Sequence, residues 1–575
     1  MQKNSDVKME KDKNDKKDNL GKSNKQNQKG PEGKDFEGLF WADQLASEII
    51  ARKKFHYLDR PIHKFDTFTV KTSASLSGIL HIGRLSDTIR GASVARALKD
   101  AGVKSKLLWV AEDMDPLRKI PKNVPANFEK YLGTPVSAVP DPDGCHKSYA
   151  EHFMAEYFKV LDEFVFMDME KLSTKKAYED GSFKPHIKVI MDNLDKIIEI
   201  QNKFRDKDNK LSSSWSPWAP ICENCGKIIT AKITEFDHKN ELLKYHCQDY
   251  SFETTTAKGC GHKGENNPLK DKGKLMWKSE WAAQWAMWKI CAEGAGKEYQ
   301  VPNSAFWINA EICEKVLEFP HPEPIFYEHI MIDNVKMSAS LGNVVYPNQW
   351  LDVAPAEILR FFYNKRLMKT RSFSWKDLPK FYEEFDSYGE VYFGTKKVDN
   401  EKESTHMRRL YEISNNPDSE QIRKPLLMTF SHAVILAQIY SDDEDIIQSL
   451  IRTGHFQDGR EKEVIERLNA ARSWLKSYAP DEVKFEVQTK ISKIDLKDEE
   501  RLTIHQVSEM LRRQEFNEKS LHEEFYNICK ANNIQTSDFF RICYQILFKK
   551  DRGPRLAHFI LTYGKDKVAE LFEKV

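Results

Sequence analysis

The sequence predicts an α/β front half, a cysteine-bearing insert and an all-α back half. The front half is read from residues 65–113. There FDTFTV alternates like a strand, residues 85–102 carry helical spacing, and KSKLLWVAED is a nearly unbroken apolar run. Strand, turn, helix, strand is a βαβ unit, and an unbroken apolar run suits a parallel strand covered on both faces. The insert is read from the cysteines at 222, 225, 247 and 260. The back half is read from segments beyond 355 such as PAEILRFFYNKRL and RLTIHQVSEMLRRQ, whose apolar residues recur at helical spacing.

Length and composition frame this reading. A chain of 575 residues is too long for one core, so several domains are expected. A net charge of +1 gives no global attraction to nucleic acid, so any basic surface has to be local. No apolar run approaches a membrane span, and the opening MQKNSDVKMEKDKNDKKDNL has no apolar core of a signal peptide. Nine cysteines, several of them clustered, point to metal in a reducing compartment rather than to a disulfide framework. A soluble, cytoplasmic protein is expected, with no membrane partner and an oligomeric state the sequence does not specify.

The elements follow in order. Residues 1–35 hold ten lysines and seven acids with almost no large apolar side chain. Such a segment cannot offset its ordering entropy, so a disordered tail is expected, either simply solvated or a weak RNA-tethering arm. Helical spacing begins near Phe36 in FEGLFWADQLASEIIARKK and leads into the βαβ unit. It dominates again from about 147 to 210. The insert occupies about 215–275, and mixed signals resume to about 345. The expected α/β domain therefore spans 36–354, and the expected helical domain spans 355–575.

Between the first strand and its helix stands TSASLSGILHIGR, residues 72–84. Small residues let backbone approach a phosphate or nucleoside, and a helix start offers free N–H groups to an anion. His81 adds a donor there. In open α/β sheets ligands bind at the carboxyl ends of the strands, where this turn lies. Residues 336–343 read KMSASLGN, a loop whose lysine and hydroxyls suit a triphosphate. Just past the second strand stand Glu112, Asp113, Asp115 and Arg118. Their carboxylates suit a substrate ammonium or an internal ion pair with Arg118 or Lys119.

Cys222 and Cys225 have the spacing of a zinc hairpin, with Cys247 as a third ligand. Cys260 is expected as the fourth, with His262 and His246 as alternates. A closed tetrahedral site would be structural. Cys145 and His146 could form a nucleophile pair, but sequence neighbours rarely face each other.

Together HIGR and KMSAS resemble the HIGH and KMSKS motifs of class I aminoacyl-tRNA synthetases. WVAEDMDPLRKIPKNVP, YLGTPVSAVPDP, GCHKSYAEHF and the distant KKDRGPRLAHFI narrow this to the class I lysyl-tRNA synthetases, found mainly in archaea. The similarity runs over about 36–575. It implies a Rossmann-like catalytic domain with a zinc-binding insert and a helical anticodon-binding domain. It implies lysine–tRNA ligase activity, with ATP and Mg2+, lysine and tRNA(Lys) as partners and Zn2+ as a structural ion.

On that resemblance His81, Lys336 and Arg84 are the expected catalytic residues. Ser77, Gly78, His81, Gly83, Lys336, Met337, Ser338 and Ser340 are expected at ATP. Ser73, Asp113, Asp115, Glu280 and Tyr299 are expected at the substrate. The chain departs from the family pattern in several places. Leu76 stands where the family has proline, and Arg84 where it often has asparagine. WKSEW replaces WRxDW, GKEY replaces GKDH without the GGS that follows, and Leu341 replaces a lysine. Two further readings stay open: a paralogue that binds tRNA without full aminoacylation, and a synthetase for another amino acid. The mixed basic and aromatic stretches FFYNKRLMKTRSFSW and FFRICYQILFKKDRGPRL suit either anticodon stacking or ordinary helix cores.

Overall fold

The computed structural model describes residues 39–575, apart from 77, 123, 214, 238–239, 338–342, 417–421 and 491–493. The expected Lys-rich tail lies outside the described residues, as do Ser77, Ser338 and Ser340. Residues 38–575 form one compact unit. No described helix is long and apolar enough to cross a membrane.

Helix α1 (Trp41–Ala51) buries Ala42, Ala46 and Ile49, as its spacing predicts. Strand β1 (Phe68–Ala74) leads to α2 (Ile82–Asp100) and β2 (Ser105–Ala111), so the βαβ unit forms. β1 starts three residues later than FDTFTV suggests and runs into the small-residue stretch. The parallel ladder explains the shift: Thr72, Ser73 and Ala74 pair with Trp109, Val110 and Ala111. After α3 (Tyr149–Val165) comes β3 (Met169–Ser173), where only helix is expected. It is a short edge strand, and edge strands carry little apolar signal.

Helices α4 (Thr174–Glu179), α5 (Lys184–Asp192) and α6 (Leu194–Asn202) lead to the insert. There β4 (Trp218–Pro220) pairs with β10 (Gly273–Leu275) at its base. Between them β5 (Ala231–Asp237), β6 (Leu242–Cys247) and β9 (Lys263–Asn266) form an antiparallel sheet beside the hairpin β7 (Tyr250–Ser251) and β8 (Thr256–Ala257). The chain returns to the main sheet through α7 (Trp277–Trp288), β11 (Ile290–Gly296), α8 (Ala305–Lys315) and β12 (Glu323–Tyr327). The main sheet is parallel throughout, in the order β12-β11-β1-β2-β3. The order reverses beside β1, and such a switch point opens a crevice.

Strands β13 (Ile330–Ile332), β14 (Val335–Lys336) and β15 (Arg371–Phe373) form a small sheet carrying the KMSAS lysine. Helices α9 (Pro347–Leu351), α10 (Ala356–Asn364), α11 (Leu378–Tyr392) and α12 (Glu401–Ser414) open the helical part, which is not all-α as expected, because β15 returns from it to pair with β13. One apolar core runs from Phe40 to Ala479 across the expected 354/355 boundary. A separate one gathers Ile435 and residues 504–572. Arg360 on α10 helps to join the two halves. Fully buried, it donates to the carbonyls of Phe164 and Val165 at the end of α3 and of Ile413 and Ser414 at the end of α12, at 2.7–3.1 Å. A guanidinium suits this role because the last carbonyls of a helix have no intrahelical donor.

Candidate active site

A cavity of about 540 Å³ opens at the carboxyl ends of β1, β2 and β11, at the switch point. Ser73, Glu112 and Glu293 reach it from these three strand ends. One end is cationic, the floor is acidic and one wall is aromatic.

His81 is the N-cap of α2, and its Nδ1 accepts from the Gly83 N–H at 3.2 Å. An accepting Nδ1 assigns the ring proton of the neutral form to Nε2. Burial, reinforced by the Arg84 charge, lowers the His81 pKa to about 4. The ring is therefore a neutral hydrogen-bond donor at neutral pH. Gly83 has to be glycine here: a Cβ would stand 2.8 Å from the imidazole. Gly78, at φ +152°, makes the tight turn before the helix. Arg84 is exposed and lines the cavity from the first turn of α2, which holds no acid. A cation at a helix N-terminus opposes the dipole, an arrangement that a bound anion relieves. Facing it, Lys336 is exposed with Nζ 3.4 Å from His329 Nε2, and His329 pairs with Glu298 at 3.1 Å. Met337 is buried against this end.

The floor carries more carboxylates than internal ammoniums. Lys71 bonds Glu293 at 2.6 Å and stands 3.6 Å from Glu112. Lys274 bonds Asp115 at 2.9 Å and Glu280 at 2.8 Å. Burial pushes Glu112 up to about 8, and it pushes Asp87 up to about 6 with Glu293 adding to it. Asp115, although half-buried, is held below the usual carboxylate range by Lys274. On the wall Trp277 stacks on Trp281 at 4.6 Å, and Tyr299 meets Trp281 edge-on at 5.3 Å.

The structure thus brings Ser73, His81, Gly83, Arg84, Asp115, Tyr299, Lys336 and Met337 to one cavity. Two expected substrate ligands do not line the cavity. Asp113 caps the start of α4 through Ser173, Thr174 and the Lys175 N–H. Glu280 is fully buried and accepts from Tyr178 as well as Lys274. Asp115 pairs with Lys274 across the insert's base rather than with the neighbouring Arg118 or Lys119. Sequence reasoning missed Lys71, Asp87, Lys274 and Glu293. Lysine at 71, inside a buried strand, and glutamate at 293, inside an otherwise apolar one, were the available signals.

Two donor clusters lie outside this cavity. The sulfurs of Cys222, Cys225, Cys247 and Cys260 all lie within 4.8 Å of one another, with two pairs at 3.6 Å. About 3.8 Å is the edge of a tetrahedron with 2.3 Å metal–sulfur bonds. The alternates turn away: His262 bonds Glu223 and His246 bonds Gln248. The second cluster is Asp141, Cys145, His146 and His152. Cys145 Sγ stands 3.0 Å from His146 Nδ1 and 3.3 Å from His152 Nδ1, and Asp141 lies 3.1 Å from His152. So Cys145 and His146 do face each other, because the loop folds back over Asp141. The thiol's hydrogen bond to Asp141 raises its pKa, which does not suit a nucleophile.

The family model described as tRNA synthetases class I (K) matches residues 39–417. The chain belongs to this class I synthetase family. The match covers the cavity, the cysteine insert and both donor clusters. The lysine–tRNA ligase of Methanocaldococcus jannaschii is 31% identical, over 92% of this chain and 98% of that protein. That of Methanosphaera stadtmanae is 28% identical over the same shares. Among solved structures, a glutamate tRNA ligase from Elizabethkingia meningosepticum covers 88% of this chain and 98% of its own at 11% identity, with a TM-score of 0.36.

Proposed function

We propose that this class I synthetase activates lysine with ATP and transfers it to tRNA(Lys). The observation that carries the reading is the polarity of the cavity. His81, Arg84 and Lys336 face one end, and Glu112 and Asp115 the other. A triphosphate suits the first and an amino acid with a cationic side chain suits the second.

In this reading the lysine carboxylate oxygen attacks the α-phosphorus of ATP, the bond to the β-phosphate bridging oxygen breaks, and pyrophosphate leaves. ATP arrives with Mg2+, which offsets part of its charge. The His81 Nε2–H donates to a phosphoryl oxygen without itself titrating. Arg84 and Lys336 supply fixed positive charge where negative charge builds up. These groups are held before the reaction, so they need no reorganisation during it. Trp277, Trp281 and Tyr299 offer flat apolar surface to the adenine or to the lysine methylenes. The terminal tRNA hydroxyl then attacks the adenylate carbonyl and AMP leaves.

Zn2+ suits both donor clusters: the four cysteines would hold it in the insert, and Asp141, Cys145, His146 and His152 would hold it beside α3. When bound it cross-links loops that have little apolar core of their own. The helical half is the proposed anticodon reader. Most aromatics of its two basic stretches, including Phe361, Phe362, Phe373, Phe539 and Phe548, are core. Recognition there therefore falls to basic side chains and the few exposed rings. The reading is tested by ATP–pyrophosphate exchange with each amino acid in turn. Exchange with lysine alone is expected, and exchange with a different amino acid alone would overturn it.

A further inference from the structure

Lys71 is a full-length cationic side chain with no solvent exposure inside the central strand of the sheet. It is the register partner of Glu293 on β11. Residues two apart on a strand share a face, so Lys71 lies one pleat below Ser73, which lines the cavity. On the other side Lys71 pairs with Leu108 of β2, which puts Glu112 on this same face two pleats further on. Three charged side chains, from β1, from β11 and from the residue that follows β2, therefore meet beneath the cavity floor.

Their bonding is unequal. Glu293 is saturated, with Oε1 on Lys71 and Oε2 accepting from Trp285 Nε1. Glu112 has one oxygen on Gln284 Nε2 at 3.0 Å, while Oε1 has no hydrogen-bond donor among the described residues and feels Lys71 from 3.6 Å. A buried carboxylate oxygen without a donor costs free energy unless a ligand supplies one. The other charged groups facing Glu112 are Glu280 on α7, Asp115, and Lys274 on β10. The two carboxylates favour protonating Glu112, and the two lysines oppose it.

We propose that Lys71 is a positioning residue: it anchors Glu293 and favours the charged form of Glu112, whose open oxygen takes the substrate ammonium. This rests on the reading of the cavity as a lysine site. Lys71 does not touch the substrate and acts through Glu112. A cation about 4 Å away lowers a carboxyl pKa by about one to three units. Removing it moves the ionisation of Glu112 further above neutral pH, and a protonated carboxyl does not hold an ammonium by charge.

The test is lysine-dependent ATP–pyrophosphate exchange from pH 7 to 9.5, comparing the unaltered chain with Lys71→Met and Lys71→Arg. For Lys71→Met the KM for lysine at pH 7 should rise about tenfold or more with kcat nearly unchanged. It should fall back toward the unaltered value as pH rises, because the charged form of Glu112 returns. Lys71→Arg should restore most of the affinity. Glu112→Gln should raise KM and remove its fall with rising pH. Lys71→Met leaves Glu293 unpaired, so a double variant with Glu293→Gln removes both charges and keeps the strand pair neutral. It should show the same alkaline shift. A normal KM in the double variant, or a rise that does not vary with pH, would overturn the proposal while leaving the lysine reading intact. Absence of lysine-dependent exchange in the unaltered chain would overturn both.

Discussion

His81 does two separable things, and His81→Asn separates them. Its Nδ1 caps α2 by accepting from Gly83, which leaves Nε2–H for the phosphoryl oxygen of the proposed reaction. Asparagine is as good a helix cap as any residue, so the variant should lose only tenths of a kcal/mol of stability at pH 7. It has no ring donor, and removing one preorganised donor to a developing charge lowers a rate by about 10²–10³, or roughly 3–4 kcal/mol. A stability curve gives a second readout. The folded-state pKa is depressed to about 4 from 6.5. Above pH 6.5 the ring is neutral in both states and contributes no pH dependence. As pH falls from 6.5 to 4 the unfolded chain takes up a proton that the folded ring refuses, so the folded state loses up to about 3 kcal/mol. His81→Asn lacks this loss. Urea unfolding of both proteins at about pH 7 and 4.5 should therefore show the gap between them reversing in the variant's favour at the lower pH. Exchange by His81→Asn within a factor of about three of the unaltered rate would refute the donor role.

Lys336→Ala should lower the amino-acid activation rate by roughly 10²–10³ with little change in melting temperature, since the side chain is exposed. Zinc content measured by inductively coupled plasma should be two ions per chain. Cys225→Ser and His152→Ala should each lose one, and loss of both with either variant would sink the assignment to separate sites. Arg360→Met should destabilise the chain by about 3–5 kcal/mol, because four buried carbonyls lose a charged donor, as read by denaturant unfolding.

Much of the site was legible because it rests on local patterns. The small-residue turn, His81 and the KMSAS lysine stand out wherever the chain is read, and they converge on one cavity. The cysteine insert was equally legible, and the four sulfurs meet although Cys247 and Cys260 are widely spaced. Asp113 and Glu280 looked alike to the eye, as acids near substrate motifs. Their bonding partners, Thr174 and Lys274, come from other segments, and only tertiary packing shows that neither lines the cavity. The Asp141 cluster was missed for a related reason. His152 belongs to a helix and Asp141 to the loop before it, and the fold-back that joins them has no signature in spacing.

By itself the sequence determined the first two strands of the buried sheet, the small-residue turn between them, and which cysteines group. These follow from short-range backbone preferences and from apolar periodicity. Only the tertiary structure decided the charge state of the floor. Lys71, Glu112 and Glu293 are separated by up to 222 residues, yet burial in one low-dielectric sheet face makes Lys71 a charge partner of both carboxylates. Electrostatic strength depends on distance and on excluded water, and neither is written in the order of residues.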